Sequence, residues 1–183
     1  MGYAAALDKA WEELQAATKQ KSLSVRFLAD NYQVDITRRK VFSLSCNVPA
    51  KDFPSVIILH YLVKSLSGLP QVTGQWLDFR QLSGVEGYWA AFKKRAIDPL
   101  IRKYGASPEK ILDVLGRFPG KKEPYGDYAV AIEAFDRVPV LLALWEKDEE
   151  FAPEANIFLD KSAKDIFCIE DMIVLAGLVC ANV

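Results

Sequence analysis

A chain of 183 residues falls within the size of a single domain, roughly 100–200 residues, and can bury a core without disulfides. Apolar side chains make up 51% and charged ones 26%, a globular mix, and 23 basic against 24 acidic residues leave a formal charge of -1. That near-neutral balance excludes a general electrostatic attraction for nucleic acid or for an anionic membrane.

Taken in chain order, Tyr3 to Lys19 place Leu7, Ala10, Trp11 and Leu14 on one face of a helix. From Leu23 to Leu44 the period drops to two: Val25 with Phe27, then Tyr32, Val34 and Ile36, then Val41, Phe42 and Leu44. Breakers at 29–31 and 37–39 divide this stretch into a small antiparallel meander with one wet face. Asp52 or Ser55 then caps a helix through PSVIILHYLVKSL, stopped at Gly68. It is apolar almost all round and belongs in the centre of the core. TGQWLDFRQL reads as a strand or extended segment with Trp76, Asp78 and Arg80 on one face and Phe79 on the other. Gly84 and Gly87 bracket a loop before an amphipathic helix from Tyr88 to Tyr104, which kinks or restarts at Pro99.

Gly105 suits the C′ position, and Ser107-Pro108-Glu109 the N-cap of a short helix to Leu115. FPGKKEPYG, residues 118–126, reads as a turn-rich loop. DYAVAIEAF and VPVLLALW form a hairpin about Asp136-Arg137, ANIFLD a third strand, and Asp160 or Ser162 caps a turn into a last helix from about Glu170 to Cys180. The pattern predicts one α+β domain over residues 1–183: an N-terminal helix (about 3–19), a β-meander (about 23–44) and a mixed body (52–183), with helices packed on antiparallel sheet.

Cys46, Cys168 and Cys180 are scattered, odd in number and free of any CxxC pair. Each lies in or beside an apolar stretch, which predicts buried reduced thiols and a cytoplasmic protein. The N-terminus carries acids where a signal peptide needs an apolar core. The longest apolar run, IVLAGLVCANV, falls short of the roughly 20 residues of a membrane span.

The inventory for chemistry is thin. His60 is the single histidine, which excludes multi-histidine metal sites and HExxH-type sites, and GxSxG, GxGxxG and GxxxxGK[ST] are all absent. His60 is read either as a structural histidine bonded to its neighbours or as an axial ligand to the metal of a bound tetrapyrrole. The acidic run around Asp148, Glu149 and Glu150 follows Trp145 and is interleaved with Phe151 and Phe158. It is either a solvated turn or the rim of a pocket with polar anchors. Arg80 either pairs with a surface acid or, half-buried beside Trp76, clamps an anion. At Tyr125-Gly126-Asp127, Gly126 supplies an unusual backbone angle and Asp127 caps the turn.

The blocks H-Y-L at His60–Leu62, T-G-x-W-x-x-F-R at Thr73–Arg80, G-x-x-G-Y-W-x-x-F at Gly84–Phe92, G-D-Y at Gly126–Tyr128 and V-P-V-L-L-x-L-W-x-x-D-E-E-F at the start of Val138–Ala163 resemble the prokaryotic domain-of-unknown-function family numbered 3786. The resemblance implies a source among anaerobes. It also implies a link to tetrapyrrole (corrinoid or haem) or one-carbon metabolism, because some relatives are fused to a corrinoid-type iron–sulfur module. Three scattered cysteines cannot build such a cluster here.

These readings together predict a binding or accessory protein whose ligand, a small anion or a tetrapyrrole-like cofactor, sits between the Trp76–Arg80 segment and the Trp145–Phe151 turn. Arg80 would pair with ligand carboxylates, Trp76 and Trp145 would wall the site, and Asp127, Asp148 and Glu149 would anchor it. His60 is then the imidazole available to a metal. No cofactor or metal site is specified by these residues. The partners expected are a small-molecule ligand and a protein of anaerobic redox or methyl-transfer systems, with neither nucleic acid nor membrane. Two alternatives stand beside it: an enzyme using Asp148 or Glu149 as acid or base with or without Mg²⁺, and a protein-interaction module with an exposed aromatic patch.

Overall fold

The period-two stretch forms a meander. In the computed structural model, which describes residues 3–183, β1 (Ser22–Phe27), β2 (Asp30–Asp35) and β3 (Lys40–Ser43) pair antiparallel in sequence order. A two-residue β4 (Val48–Pro49) completes the sheet. Val25, Phe27, Val34 and Val41 turn inward and the other face is wet. Helix α1 (Tyr3–Ala17) buries Ala10, Trp11 and Leu14, and Gln15 Nε2 ties it to the sheet by donating to the Ile36 carbonyl.

Helix α2 (Asp52–Ser67) runs through the centre with Val56, Ile57, Ile58, Leu59 and Leu62 buried. Its start corrects the expected cap. Lys51 is the N-cap residue without a side-chain bond, Asp52 is already helical, and Ser55 Oγ donates back to the Lys51 carbonyl at 2.9 Å. Aspartate in the first turn still favours the helix through its dipole.

Five strands make the second sheet in the order β5 (Trp76–Asp78), β9 (Glu154–Asp160), β8 (Val138–Trp145), β7 (Tyr128–Phe135) and β6 (Gly120–Lys122), all antiparallel. The β7–β8 hairpin turns at Asp136-Arg137, with Arg137 at φ 58. β6 corrects the loop expected at 118–126: Gly-Lys-Lys has little strand propensity, and its pairing with 130–132 of β7 is what makes it a strand. One face of this sheet, carrying Val130, Ile132, Val140, Leu142, Ile157 and Leu159, joins the main core. The two sheets meet at Phe135, whose ring stacks on Phe27 at 4.6 Å and on Tyr61 of α2 at 4.3 Å.

The helix expected from Tyr88 to Tyr104 is three pieces: α3 (Trp89–Phe92), a π-helical stretch (Lys93–Ile97) and α4 (Asp98–Tyr104). Proline lacks the N–H that an α-turn through position 99 requires, and the widened turn, in which the Asp98 N–H reaches the Lys93 carbonyl, brings Pro99 into the first turn of a fresh helix. Gly105 is not left-handed; at φ -61 it ends α4 in right-handed conformation, where a Cβ would lie 2.5 Å from the Ile101 carbonyl oxygen. Residues Pro108–Gly116 form a 3₁₀ helix rather than an α-helix, and Ser107 makes no capping bond. The last helix, α5 (Ile169–Asn182), covers the predicted span.

The cysteines divide. Cys180 is buried as predicted, but Cys46, in the β3–β4 turn, and Cys168, at the start of α5, are exposed. Apolar neighbours in sequence do not bury a residue that sits in a turn or at a cap. Among the described residues no helix is long and apolar enough to cross a membrane.

Candidate functional site

The outer face of the five-stranded sheet carries a second, smaller apolar cluster. Ala129 and Ala131 of β7, Leu141 and Ala143 of β8, and Phe158 of β9 form its floor, with Trp76 and Trp145 packed against it. Tyr125 lies over it, 4.8 Å from Phe158 and edge-on to Trp145 at 6.3 Å. Period two explains the arrangement, since these residues alternate with those of the main core along each strand.

The two tryptophans share this face but do not share a hollow. Trp76 stands opposite Asp160 and Trp145 opposite Glu154, six residues apart along β9, which is about 20 Å of strand. Trp76 lines a hollow of about 490 Å³ with Pro119, Lys121, Ala131, Arg137, Pro139 and Asp160. Trp145 lines another, of about 350 Å³, with Asp127, Asp148 and Phe151. The single cavity expected between the 76 and 148 regions is therefore divided, with Phe158 between its halves.

Asp160 organises the first hollow. Only 1% of its surface is exposed, and its carboxylate accepts from Thr73 N and Oγ1 (both 3.0 Å), Gly74 N (2.7 Å) and Ser162 N (2.9 Å). Burial opposes ionisation, but the hydrogen bonds from Ser162 and Thr73 hold the carboxyl below the usual aspartate range. The capping of the 161–165 turn was legible in the sequence; the clamp on residues 73–74, which aligns β5 and sets Trp76, was not.

Asp127 and Asp148 serve the chain around them. Asp127 Oδ2 accepts from the Glu146 N–H at 2.8 Å, and Gly126 before it adopts φ 58, where a Cβ would meet the Leu144 carbonyl oxygen at 2.8 Å. Asp148 Oδ1 accepts from the N–H groups of Glu150 (2.8 Å) and Phe151 (2.7 Å), and Glu149 is exposed. The acidic run is in this respect a self-capped turn. Asp148→Ala is expected to cost about 1 kcal/mol through these two bonds, with Mg²⁺ leaving the melting temperature unchanged in both proteins. Thermal melts with and without Mg²⁺ check both points. Among the described residues no group of three or more His, Cys, Asp or Glu is placed to hold a metal ion.

Arg80 lines neither hollow. It falls in a 3₁₀ turn (Phe79–Gln81), where its guanidinium grips Asp78 (Nε to Oδ1 3.1 Å, Nη2 to Oδ2 2.7 Å) and lies 4.8 Å from the centre of the Trp89 ring. The strand ends at Asp78, so Arg80 does not share the face of Trp76 as its spacing implied. Asn156 Nδ2 also donates to Asp78, at 2.7 Å.

His60 lies elsewhere, in a cleft of about 440 Å³ between α1, α2 and the start of α5, with Nδ1 2.8 Å from Asp171 Oδ2. An oriented imidazole is what an axial ligand needs. A macrocycle also needs a broad apolar slot, whereas here Lys9, Glu13, Lys64, Ser67 and Asp171 stand among Ala6, Val63 and Ile166, and no aromatic ring among the described residues faces His60 across the cleft. The residues around His60 do not fit a haem or a corrinoid. Arg137 and Asp171 were not singled out as site residues. Asp171 could not have been paired with His60 from sequence, because 111 positions separate them.

Fold and hollows together define an α+β domain, with two antiparallel sheets and five α-helices among the described residues and a groove on the outer face of the larger sheet. The chain belongs to the family described as Domain of unknown function (DUF3786), whose model matches residues 6–182. Comparison with curated proteins and with solved structures finds no match.

Proposed function

We propose that this protein binds a small organic anion in the groove beside Trp76, as a binding or accessory protein. The observation that carries the reading is the cation left without an ion-pair partner there, in a lining that also carries the charge of Asp160. Asp160 is saturated by its four donors, Lys121 pairs with Glu123 at 2.9 Å, and Glu133 pairs with Arg26 at 3.2 Å. Arg137 enters no ion pair among the described residues. A hollow with an indole wall, prolines 119 and 139 at its sides, an alanine floor and one unmatched guanidinium suits a flat apolar body bearing a carboxylate, sulfonate or phosphate. A role in tetrapyrrole or one-carbon chemistry, which the resemblance implies, would then run through a metabolite or a partner protein rather than through a macrocycle on His60.

The test uses 8-anilinonaphthalene-1-sulfonate, an aromatic anion whose emission rises on leaving water. The folded protein is expected to bind it in a saturable way, and Trp76→Ala to weaken binding about tenfold, the worth of one good aromatic contact. Arg137→Gln should weaken it in the same direction. Equal affinity in wild type and both variants removes this reading.

A further inference from the structure

The two nitrogens of His60 have different surroundings. Nδ1 is bonded to the buried Asp171, while Nε2 has no partner among the described residues, and the ring lines the cleft between α1, α2 and α5. Asp171 is itself held, since its Oδ2 also lies 3.4 Å from the Cys168 N–H at the start of α5. A carboxylate on Nδ1–H fixes the tautomer that leaves a lone pair on Nε2, and it stabilises the imidazolium once that lone pair takes a proton.

The charges around the ring complete the site. Lys9 and Glu13 face it from α1, Lys64 from α2 and Asp171 from α5. Lys9 and Glu13 pair at 3.7 Å and Asp171 is matched by His60, so Lys64 is the cation without a counter-ion. Cys168 shares the cleft. Its residue reaches the surface, yet loss of water around the sulfur, with the charge of Asp171, pushes the thiol up to about 11, so it stays protonated and is a poor nucleophile at neutral pH.

We propose that this cleft is an acid–base site for a small anionic substrate, at which His60 Nε2 removes and returns a proton while Lys64 holds the anionic group. Nε2 takes the proton from an activated C–H next to a substrate carbonyl, whose bonding pair passes into the carbonyl and leaves the charge on its oxygen. The imidazolium rests against Asp171, the positioning residue. It then returns the proton to that oxygen, so a keto–enol shift is completed and no oxidant or co-reactant enters. This site lies apart from the Trp76 groove and stands or falls independently of it.

One histidine means a single pair of ring C–H resonances, assigned without ambiguity. Proton NMR titration with and without inorganic phosphate, at ionic strength matched with sodium chloride, reads the site directly. Burial pulls the ring's pKa down, but the hydrogen bond and charge of Asp171 outweigh it, so His60 is expected to titrate above free histidine. Phosphate should move it further up, and Lys64→Ala should lose that shift. Asp171→Asn should titrate below wild type, burial then being opposed by the charge of Glu13 alone. Diethyl pyrocarbonate, which acylates Nε2 with release of ethanol and carbon dioxide, should modify the folded protein severalfold more slowly in phosphate. A resonance that ignores phosphate, or one that shifts equally in Lys64→Ala, overturns the proposal, as does a ring that resists acylation in the folded protein. Wild type and Lys64→Ala decide the matter even where Asp171→Asn does not fold.

Discussion

Asp160→Ala is expected to destabilise the protein by about 3 kcal/mol and to loosen Trp76 at the same time. Four donors converge on this carboxylate, and the buried Ser162 N–H among them would be left without a partner. Lys161 N–H to the Gln75 carbonyl (2.9 Å), Asn156 Nδ2 to Asp78 (2.7 Å), the packing of Trp76 and three residue pairs with β9 would then remain to hold β5 in place. Binding of the anilinonaphthalene probe should therefore weaken along with stability. The pH dependence has a definite sign. The folded carboxyl lies below its ordinary value of 3.8, so its contribution is fully present above that value and is lost as pH falls through the folded pKa. Asp30 and Asp78 are shifted the same way and add to the loss in acid. Urea midpoints at neutral and strongly acidic pH check this: wild type should lose stability on acidification, and Asp160→Ala should lose less. An alanine variant as stable as wild type would mean that the clamp is incidental.

The larger loss is expected for Phe135→Ala, about 3–5 kcal/mol, the range for truncating a buried phenylalanine. The ring is fully buried and makes three aromatic contacts: Phe27 from the meander, Tyr61 from α2, and Phe167 at 6.3 Å ahead of α5. A cavity there opens between both sheets and the central helix at once, and no single neighbour can relax to fill it. A urea midpoint displaced with an unchanged slope is the expected signature. A shallower slope would instead mean that the meander has come away from the rest.

Much of the fold was legible because the pattern that carries it is local. Val25, Phe27, Val34 and Val41 announce the meander by alternation, and the two-residue break at Asp136-Arg137 announces the hairpin. Elements that depend on a distant partner were not legible. The β6 strand has the composition of a turn and exists because β7 offers it hydrogen bonds. The π-turn before Pro99 adjusts a helix to a proline that propensity alone reads as a kink or a break.

The candidate site divides along the same line. Trp76 and Trp145 were read as walls of one pocket; they do share a sheet face, yet the length of β9 keeps them apart, and the strand's end at Asp78 turns Arg80 away. By itself the sequence determined the α+β class, the order of the main helices and strands and most of their buried faces, which follow from spacing along the chain, and the family, which follows from its motifs. Only the tertiary structure decided which distant residues meet: Asp160 with Thr73 and Gly74, Lys121 and Arg137 beside Trp76, and Asp171 on His60. Such meetings depend on strand register and helix packing over separations of tens of residues, where periodicity carries no information.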